Sequence, residues 1–339
     1  MKIGFPVKPE GGGGTRTWVK VFSNYCASKG HQVYFSKDEK VDVFITLAFY
    51  STPDELKRMK ERNTKILYRM DGIYYNFLTD NRTTIRLNGL IADSMKLADK
   101  IIYQSDFSRI MASQLFNGKE LPGVVIYNGA NTNVFKEKGK ILPRPEDKKI
   151  VLSIAYWGPE LMAEYSINNI INIAKELAHR KDIEFWVLGE AYPYVEQIIR
   201  RANLNNITRY NLRTPIPRER MPEYIRTSDI VLHTRPNDAC SNLIIEAMNV
   251  GKPIVGLNLG STPELLGDAG LRGECEPSFE HFPIMNIKSM ANQILKTLDD
   301  YDYYEEKIKE RSKRFTLEKM CEKYFIEINN LVNNSDVVQ

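Results

Sequence analysis

The sequence predicts an α/β protein made of two doubly wound, Rossmann-like parallel sheets. Three observations carry this prediction. Short apolar runs alternate with helical stretches along the whole chain, the pattern of βαβ units. The alternation starts afresh after the tract at 136–149, which is charged, holds two prolines and lacks an apolar period, and so reads as a linker. A chain of 339 residues is long for one core and suits two.

In the first half the strand candidates are 2–7, 32–35, 41–47, 65–70, 100–105 and 124–127, with helices between most of them, for example 17–29, 54–62 and 107–116. Trp18, Phe22 and Tyr25 recur at helical spacing and read as the buried face of the first helix. In the second half the strands are 150–155, 184–188, 207–210, 230–233 and 253–257. Parallel strands need right-handed crossovers, and such sheets bind ligands beyond the strand C-terminal ends. Two such edges facing each other would make a cleft. Near the end, Leu317, Met320, Tyr324, Phe325, Ile328 and Leu331 follow a helical period.

Composition narrows the function classes. With 42% hydrophobic and 27% charged residues, the chain is ordinary for a globular protein. A net charge of +4 is small for this length, which argues against a dedicated nucleic-acid binder and leaves room for a local basic patch. Cys26, Cys240, Cys275 and Cys321 are far apart and form no CxxC pair, so free thiols in a reducing cytoplasm are expected, and no zinc. No apolar run of about 18 residues exists to cross a membrane, and the chain opens on the strand-like KIGFPV with no signal peptide in view.

The most informative stretch runs from 235 to 264, RPNDACSNLIIEAMNVGKPIVGLNLGSTPE. A turn-rich segment leads into an apolar helical run, which Gly251 stops and Pro253 follows. IVGLNL then reads as a buried strand and GSTPE as the turn after it. Ser241 fits an N-cap, so the backbone N–H groups of Ser241 and Asn242 are expected to point out of the helix start, a ready diphosphate site. Asp238 falls just before the helix and Glu246 in its second turn. The competing account is an ordinary strand–helix–strand unit with solvated carboxylates.

Asp238, Glu246-Ala247-Met248, Gly251-Lys252-Pro253-Ile254-Val255 and Gly260-Ser261-Thr262-Pro263-Glu264 together resemble the donor-site signature of the retaining glycosyltransferases of family 4, which have the GT-B fold. Weaker pieces agree in order along the chain: Lys29-Gly30-His31-Gln32-Val33, Tyr127-Asn128-Gly129-Ala130-Asn131-Thr132 with Phe135, Gly189-Glu190, and Arg314 to Lys319. The resemblance implies an N-terminal acceptor domain at 1–135, a donor domain at 150–316, and a last helix, about 317–335, that crosses back to the N-terminal domain. It also implies transfer of a sugar from a nucleotide-diphosphate sugar to a hydroxyl acceptor, with no cofactor and no metal. Asp238 would lie beside the transferred sugar. The usual residue there is Glu, one methylene longer. Glu246 would hold the ribose, and Ser241, Asn242, Cys240 and Arg235 would line the donor.

Other positions have two readings. Gly11 to Gly14 ease close approach of a ligand, and the resemblance places Gly13, Gly14 and Arg16 near the donor phosphates; a flexible surface turn is the alternative. Asp71 ends a strand beside Gly72, either lining the acceptor side as a catalytic group or capping a local turn. His233 either reaches the site or packs in the core. Tyr68, Arg69, Tyr74, Tyr75, Phe77, Arg82 and Arg86 mix aromatic and basic residues, consistent with half-buried packing, with peripheral contact to a membrane surface or with contact to a sugar acceptor. Asp300-Tyr301-Asp302 sits in an acidic helical run and reads as a solvated face. One departure stands out. The family has an arginine and a lysine for the diphosphate after the first strand of the second domain. Here Tyr156 or Trp157 and Ser166 fall near those positions, leaving Arg235, Arg213 or Arg16 as substitutes. An inactive nucleotide-sugar-binding protein of the same fold is the second expectation.

Overall fold

The computed structural model describes residues 1–10, 13–158, 161–210 and 216–333. Two compact units emerge: Met1–Tyr127 with Glu318–Gln339, and Asn128–Leu317.

The first unit runs β1 (Lys2–Gly4), α1 (Gly14–Ser28), β2 (Gln32–Tyr34), β3 (Val43–Leu47), α2 (Pro53–Glu61), β4 (Lys65–Met70), α3 (Asn81–Leu97), β5 (Lys100–Tyr103), α4 (Asp106–Ser113) and β6 (Val124–Val125). Its six strands are parallel in the order β2-β1-β3-β4-β5-β6. The strand VFITL of β3 is buried along its whole length, as a parallel sheet covered on both faces requires. Local chemistry fixes the helix starts. Thr52 accepts from the Glu55 N–H and the Glu55 side chain answers to the Thr52 N–H, a capping box with Pro53 in the first turn. Asp80 caps α3 and Ser105 caps α4.

The second unit runs β7 (Lys149–Ile154), α5 (Leu161–Glu176), β8 (Ile183–Leu188), α6 (Pro193–Ala202), β9 (Ile207–Tyr210), α7 (Met221–Thr227), β10 (Ile230–His233), α8 (Asn242–Val250), β11 (Ile254–Leu257), α9 (Thr262–Leu266), β12 (Leu271–Gly273), the antiparallel pair β13 (Cys275–Glu276) and β14 (Ile284–Met285), α10 (Ile287–Asp299) and α11 (Tyr301–Ser312). Its main sheet is also six-stranded and parallel, ordered β12-β11-β10-β7-β8-β9. The chain order reverses between β7 and β10. That switch point leaves a crevice beyond their C-terminal ends, where ligands of such sheets bind.

The final helix, α12 (Leu317–Asn333), contributes all but its first residue to the first unit. Tyr324 and Phe325 pack on the aromatic face of α1. The Tyr324 ring lies 5.0 Å from Trp18 and 5.1 Å from Phe22, and Phe325 lies 5.7 Å from Phe22. The apolar period at the end of the chain thus finds its partner in the apolar period near the start.

The units divide at 127/128, before the boundary that the sequence suggests near 135. The reason is local bonding. Ala130 donates to the Phe315 carbonyl at 3.0 Å, and the Leu317 N–H donates to the Ala130 carbonyl at 2.8 Å. A β-carbon on Gly129 would sit 2.3 Å from the Thr316 carbonyl oxygen, so only glycine allows this approach. The tract at 136–149 forms no helix or strand before Lys149, yet it is strapped to the second unit. Arg226 donates to the carbonyls of Lys136 and Lys140, the Leu142 N–H donates to Thr227 Oγ1, and Arg144 pairs with Asp229 at 2.6 Å.

Phe22→Ala is expected to destabilise the protein by about 3–5 kcal/mol, as large aromatic-to-alanine changes in a close-packed core do. Chemical denaturation followed by tryptophan fluorescence checks this; a cost within error of zero would mean that α12 does not seal this core.

Candidate functional site

In the second unit the site is built on the C-terminal end of β10, the strand at the switch point. His233 ends the strand, 5% exposed. The chain then turns through Asn237, which takes the left-handed conformation at φ 49°, and delivers Asp238 in front of α8. The turn Gly260-Ser261 supports this loop from below. The Ser261 N–H donates to the Asp238 carbonyl at 2.9 Å. Gly260 sits at φ +68°, and a β-carbon on it would lie 2.9 Å from the Asp238 nitrogen.

Asp238 is 23% exposed at its side chain. Its Oδ2 lies 3.4 Å from His233 Nε2, and its Oδ1 accepts from the Cys240 N–H at 3.3 Å. Burial pushes its pKa up, but the bond and charge of His233, the charge of Arg235 and the Cys240 N–H outweigh burial. The carboxyl is held below the ordinary carboxylate range and stays ionised.

Ser241 is the N-cap of α8, accepting from the Ile244 N–H at 3.4 Å. Its hydroxyl also lies 3.1 Å from His233 Nε2. Its own N–H, expected to face a diphosphate, donates instead to Ser261 Oγ at 3.3 Å. The N–H groups of Asn242 and Leu243 make no hydrogen bond among the described residues, so the donors open to an anion sit one step further into the helix. Asn128 braces the same corner, its amide donating to the Cys240 carbonyl and to Asn242 Oδ1, each at 3.1 Å, and its N–H donating to Cys240 Sγ at 3.4 Å. Cys240 is buried, and Arg235 is exposed.

Glu246 lies in the second turn of α8, 4% exposed. Arg218, in a 3-10 turn at Arg218–Arg220, forms an ion pair and hydrogen bond with its Oε1. Burial pushes the Glu246 pKa up to about 7, and the Arg218 charge offsets only part of that. The guanidinium also lies over the Phe135 ring, 5.3 Å from its centroid.

Trp157, Ser166 and Tyr156, near which the resemblance implies two diphosphate cations, are not basic. Trp157 is 2% exposed, its indole N–H donating to the Leu188 carbonyl at 2.9 Å, and Ser166 is buried in α5. Tyr156 is exposed and stands edge-on to Tyr192. Arg213, Gly11 and Gly12 lie outside the described residues.

In the first unit, Gly13 precedes α1 at φ 99° and Gly14 is the first residue of that helix. Arg16 donates to the Glu10 carbonyl at 2.7 Å. Asp71 follows β4 and is bonded on both oxygens. Arg69 pairs with Oδ1, Gln104 donates to Oδ1 at 3.2 Å, and Thr15 Oγ1 donates to Oδ2 at 2.6 Å. Arg69 is itself 2% exposed, with its guanidinium 4.5 Å from the Trp18 ring centroid. Of the aromatic and basic residues noted nearby, Tyr68 and Tyr75 are buried, while Arg82 and Arg86 are exposed on α3 with Ile85 between them.

Arg218 has no motif around it in the sequence, and His233 has two readings there. Asn128 and Ser261 stand inside recognisable segments, but the groups that they bond are far away along the chain or outside any local pattern.

The family described as Glycosyl transferases group 1 matches residues 134–315. The phosphatidylinositol N-acetylglucosaminyltransferase GPI3 subunit of Saccharomyces cerevisiae is 24% identical over 204 residues, covering 58% of this chain and 43% of that subunit. The chain thus spans less than half the length of the curated relative it matches. Sucrose-phosphate synthase from Thermosynechococcus elongatus superposes with a TM-score of 0.79 over 98% of this chain and 99% of its own, at 14% identity. A glycosyltransferase from Rickettsia africae does so at 0.74, covering 98% and 99%, at 17% identity. Anabaena HepE, solved with UDP-glucose, does so at 0.69, covering 97% and 100%, at 17% identity. These likenesses show the GT-B fold.

Two outcomes check the site's physics. Gly260→Ala is expected to cost about 1–3 kcal/mol through backbone strain and displacement of the Asp238 loop; a neutral melting temperature would contradict the close approach. Glu246 has a raised folded pKa, so its contribution to stability is full below the unfolded value of 4.5 and is lost as pH rises through about 7. Glu246→Gln does not titrate. The melting temperature of the variant relative to the parent should therefore climb between about pH 5 and about pH 8, and a flat difference would show that the carboxyl ionises normally.

Proposed function

Because the chain belongs to the glycosyl transferases group 1 family, we propose that it acts as a retaining enzyme of the family 4 kind, moving a sugar from a nucleotide-diphosphate sugar to a hydroxyl acceptor. The observation that supports this best is a pair of carboxyl groups of opposite tendency at α8: Asp238 before the helix, held ionised, and Glu246 within it, buried with its pKa raised to about 7 and ion-paired with Arg218. Paired carboxyl groups driven apart by their surroundings are a mark of a working site.

In this reading Asp238 binds hydroxyls of the transferred sugar and steadies positive charge at the anomeric carbon as the bond to the diphosphate breaks. The open N–H groups of Asn242 and Leu243, at the positive end of α8, take the diphosphate. Glu246 accepts the ribose hydroxyls. Charge on the leaving group is met by the helix end and basic side chains, without a metal. Asp71, with both oxygens already bonded, orients an acceptor hydroxyl rather than serving as a strong base.

A second reading, a nucleotide-sugar-binding protein with weak or no turnover, draws on the buried Trp157 and Ser166 where the family has cations. Lost charge stabilisation of this type costs a few kcal/mol per group in the transition state. Calorimetry that finds tight nucleotide-sugar binding, with no transfer to any acceptor, would favour it.

The direct experiment is a panel of UDP-, GDP- and ADP-sugars, following release of the nucleoside diphosphate. The complex of HepE with UDP-glucose makes uridine donors the first choice. Turnover with one donor class is expected, and Asp238→Ala and Glu246→Ala should each lower it on the order of 100-fold. The assignment fails if no nucleotide sugar binds, or if both variants keep parental turnover.

A further inference from the structure

Glu246 presents a difficulty that the ribose assignment does not solve. To accept hydrogen bonds from two hydroxyls, a carboxyl must be ionised, since a protonated one spends an oxygen as a donor. Yet this carboxyl is buried in the second turn of an apolar helix, NLIIEAMNV, where an isolated charge is costly. The helix packs against β10, β11, α7, α9 and α11. Among the described residues, the charged group acting on Glu246 is Arg218, reaching in from the 3-10 turn before α7.

Arg218 is well suited to this task. Its guanidinium is planar, carries five donors and stays protonated, so it can hold one carboxylate oxygen while the other remains open. It bonds Oε1, and no hydrogen bond to Oε2 is seen among the described residues. The Phe135 ring supports the guanidinium from one side, and 42% of the side chain stays exposed, so Arg218 is not itself sealed into the core.

We propose that Arg218 is a positioning residue for donor binding: it keeps the Glu246 carboxylate charged and turned so that its second oxygen meets the ribose hydroxyls of the nucleotide. This rests on the donor-site reading above. Arg218 touches Glu246 and acts through it. It also supplies a cation within the donor unit at a position that no motif marks.

Removal of Arg218 has a signature that mere loss of packing lacks. Without the guanidinium, burial alone acts on Glu246, which shifts further toward the neutral acid. Nucleotide binding should then fail most where the acid is protonated and recover as pH rises.

The test measures UDP, GDP and ADP binding by calorimetry across about pH 6 to pH 9 for the parent, Arg218→Met, Arg218→Lys and Glu246→Gln, each first shown to be folded by circular dichroism. For the nucleotide that the parent binds, Arg218→Met should weaken affinity about tenfold or more at the acid end, one pKa unit being a factor of ten, and the gap should narrow at the alkaline end. Arg218→Lys should restore part of the affinity, because it keeps the charge and loses the fork. Glu246→Gln should weaken binding with no such recovery. A deficit in Arg218→Met that is equal at every pH, or no deficit, overturns the proposal and leaves the donor site standing. No binding of any of the three nucleotides by the parent removes the donor-site reading itself, and this inference with it.

Discussion

Gly260 lies so near the backbone of Asp238 that a side chain there would collide with it, and the second unit's site depends on this approach. A strand end gives a following loop no ladder to hold it. Here the loop is held instead by the neighbouring crossover turn, through the Ser261 N–H on the Asp238 carbonyl and Ser261 Oγ on the Ser241 N–H. The two loops come from β10 and β11, adjacent strands of one sheet. Strand pairing deep in the core therefore sets where the carboxylate stands, and a glycine lets the backbones close on each other.

The same helix shows how burial sorts chemically similar groups. Asp238 and Glu246 are both carboxylates, one in the loop before α8 and one within it. Asp238 has an imidazole, a guanidinium and a backbone N–H around it and stays charged, whereas Glu246 has one guanidinium against full burial and its pKa rises to about 7. Their stability contributions consequently run in opposite directions with pH. That of Asp238 is lost as pH falls through its depressed value, and that of Glu246 as pH rises through its raised one.

The first unit relies on a different device. Strand β4 and the terminal helix meet at Trp18 of α1. The indole packs against Tyr324 on one side and carries the Arg69 guanidinium on another, while Arg69 in turn holds Asp71. A buried cation is tolerable because the Asp71 carboxylate, the Gln104 amide oxygen at 2.8 Å and the Trp18 face share it. Thr15, in the first turn of α1, completes the shell around Asp71. Aromatic packing of the last helix and polar order at the strand end are thus one structure.

The two parallel sheets, the N-cap at Ser241, the stop at Gly251 and the stretch in which Asp238 and Glu246 fall are legible in the linear order of residues, because these depend on periodicity, turn chemistry and spacing along the chain. Gly260 and Asn128 also fall within recognisable segments. Folding in three dimensions settles that Asn128 braces Cys240, that the Ser241 N–H is occupied, that the units divide at 127/128, and that Arg218 bonds Glu246. The pairs involved are separated by 112 residues for Asn128 with Cys240, 20 for Ser241 with Ser261 and 28 for Arg218 with Glu246. No local rule connects such partners. They meet because parallel strands return each crossover to the same sheet edge, and which side chains then touch depends on packing that a linear pattern does not encode.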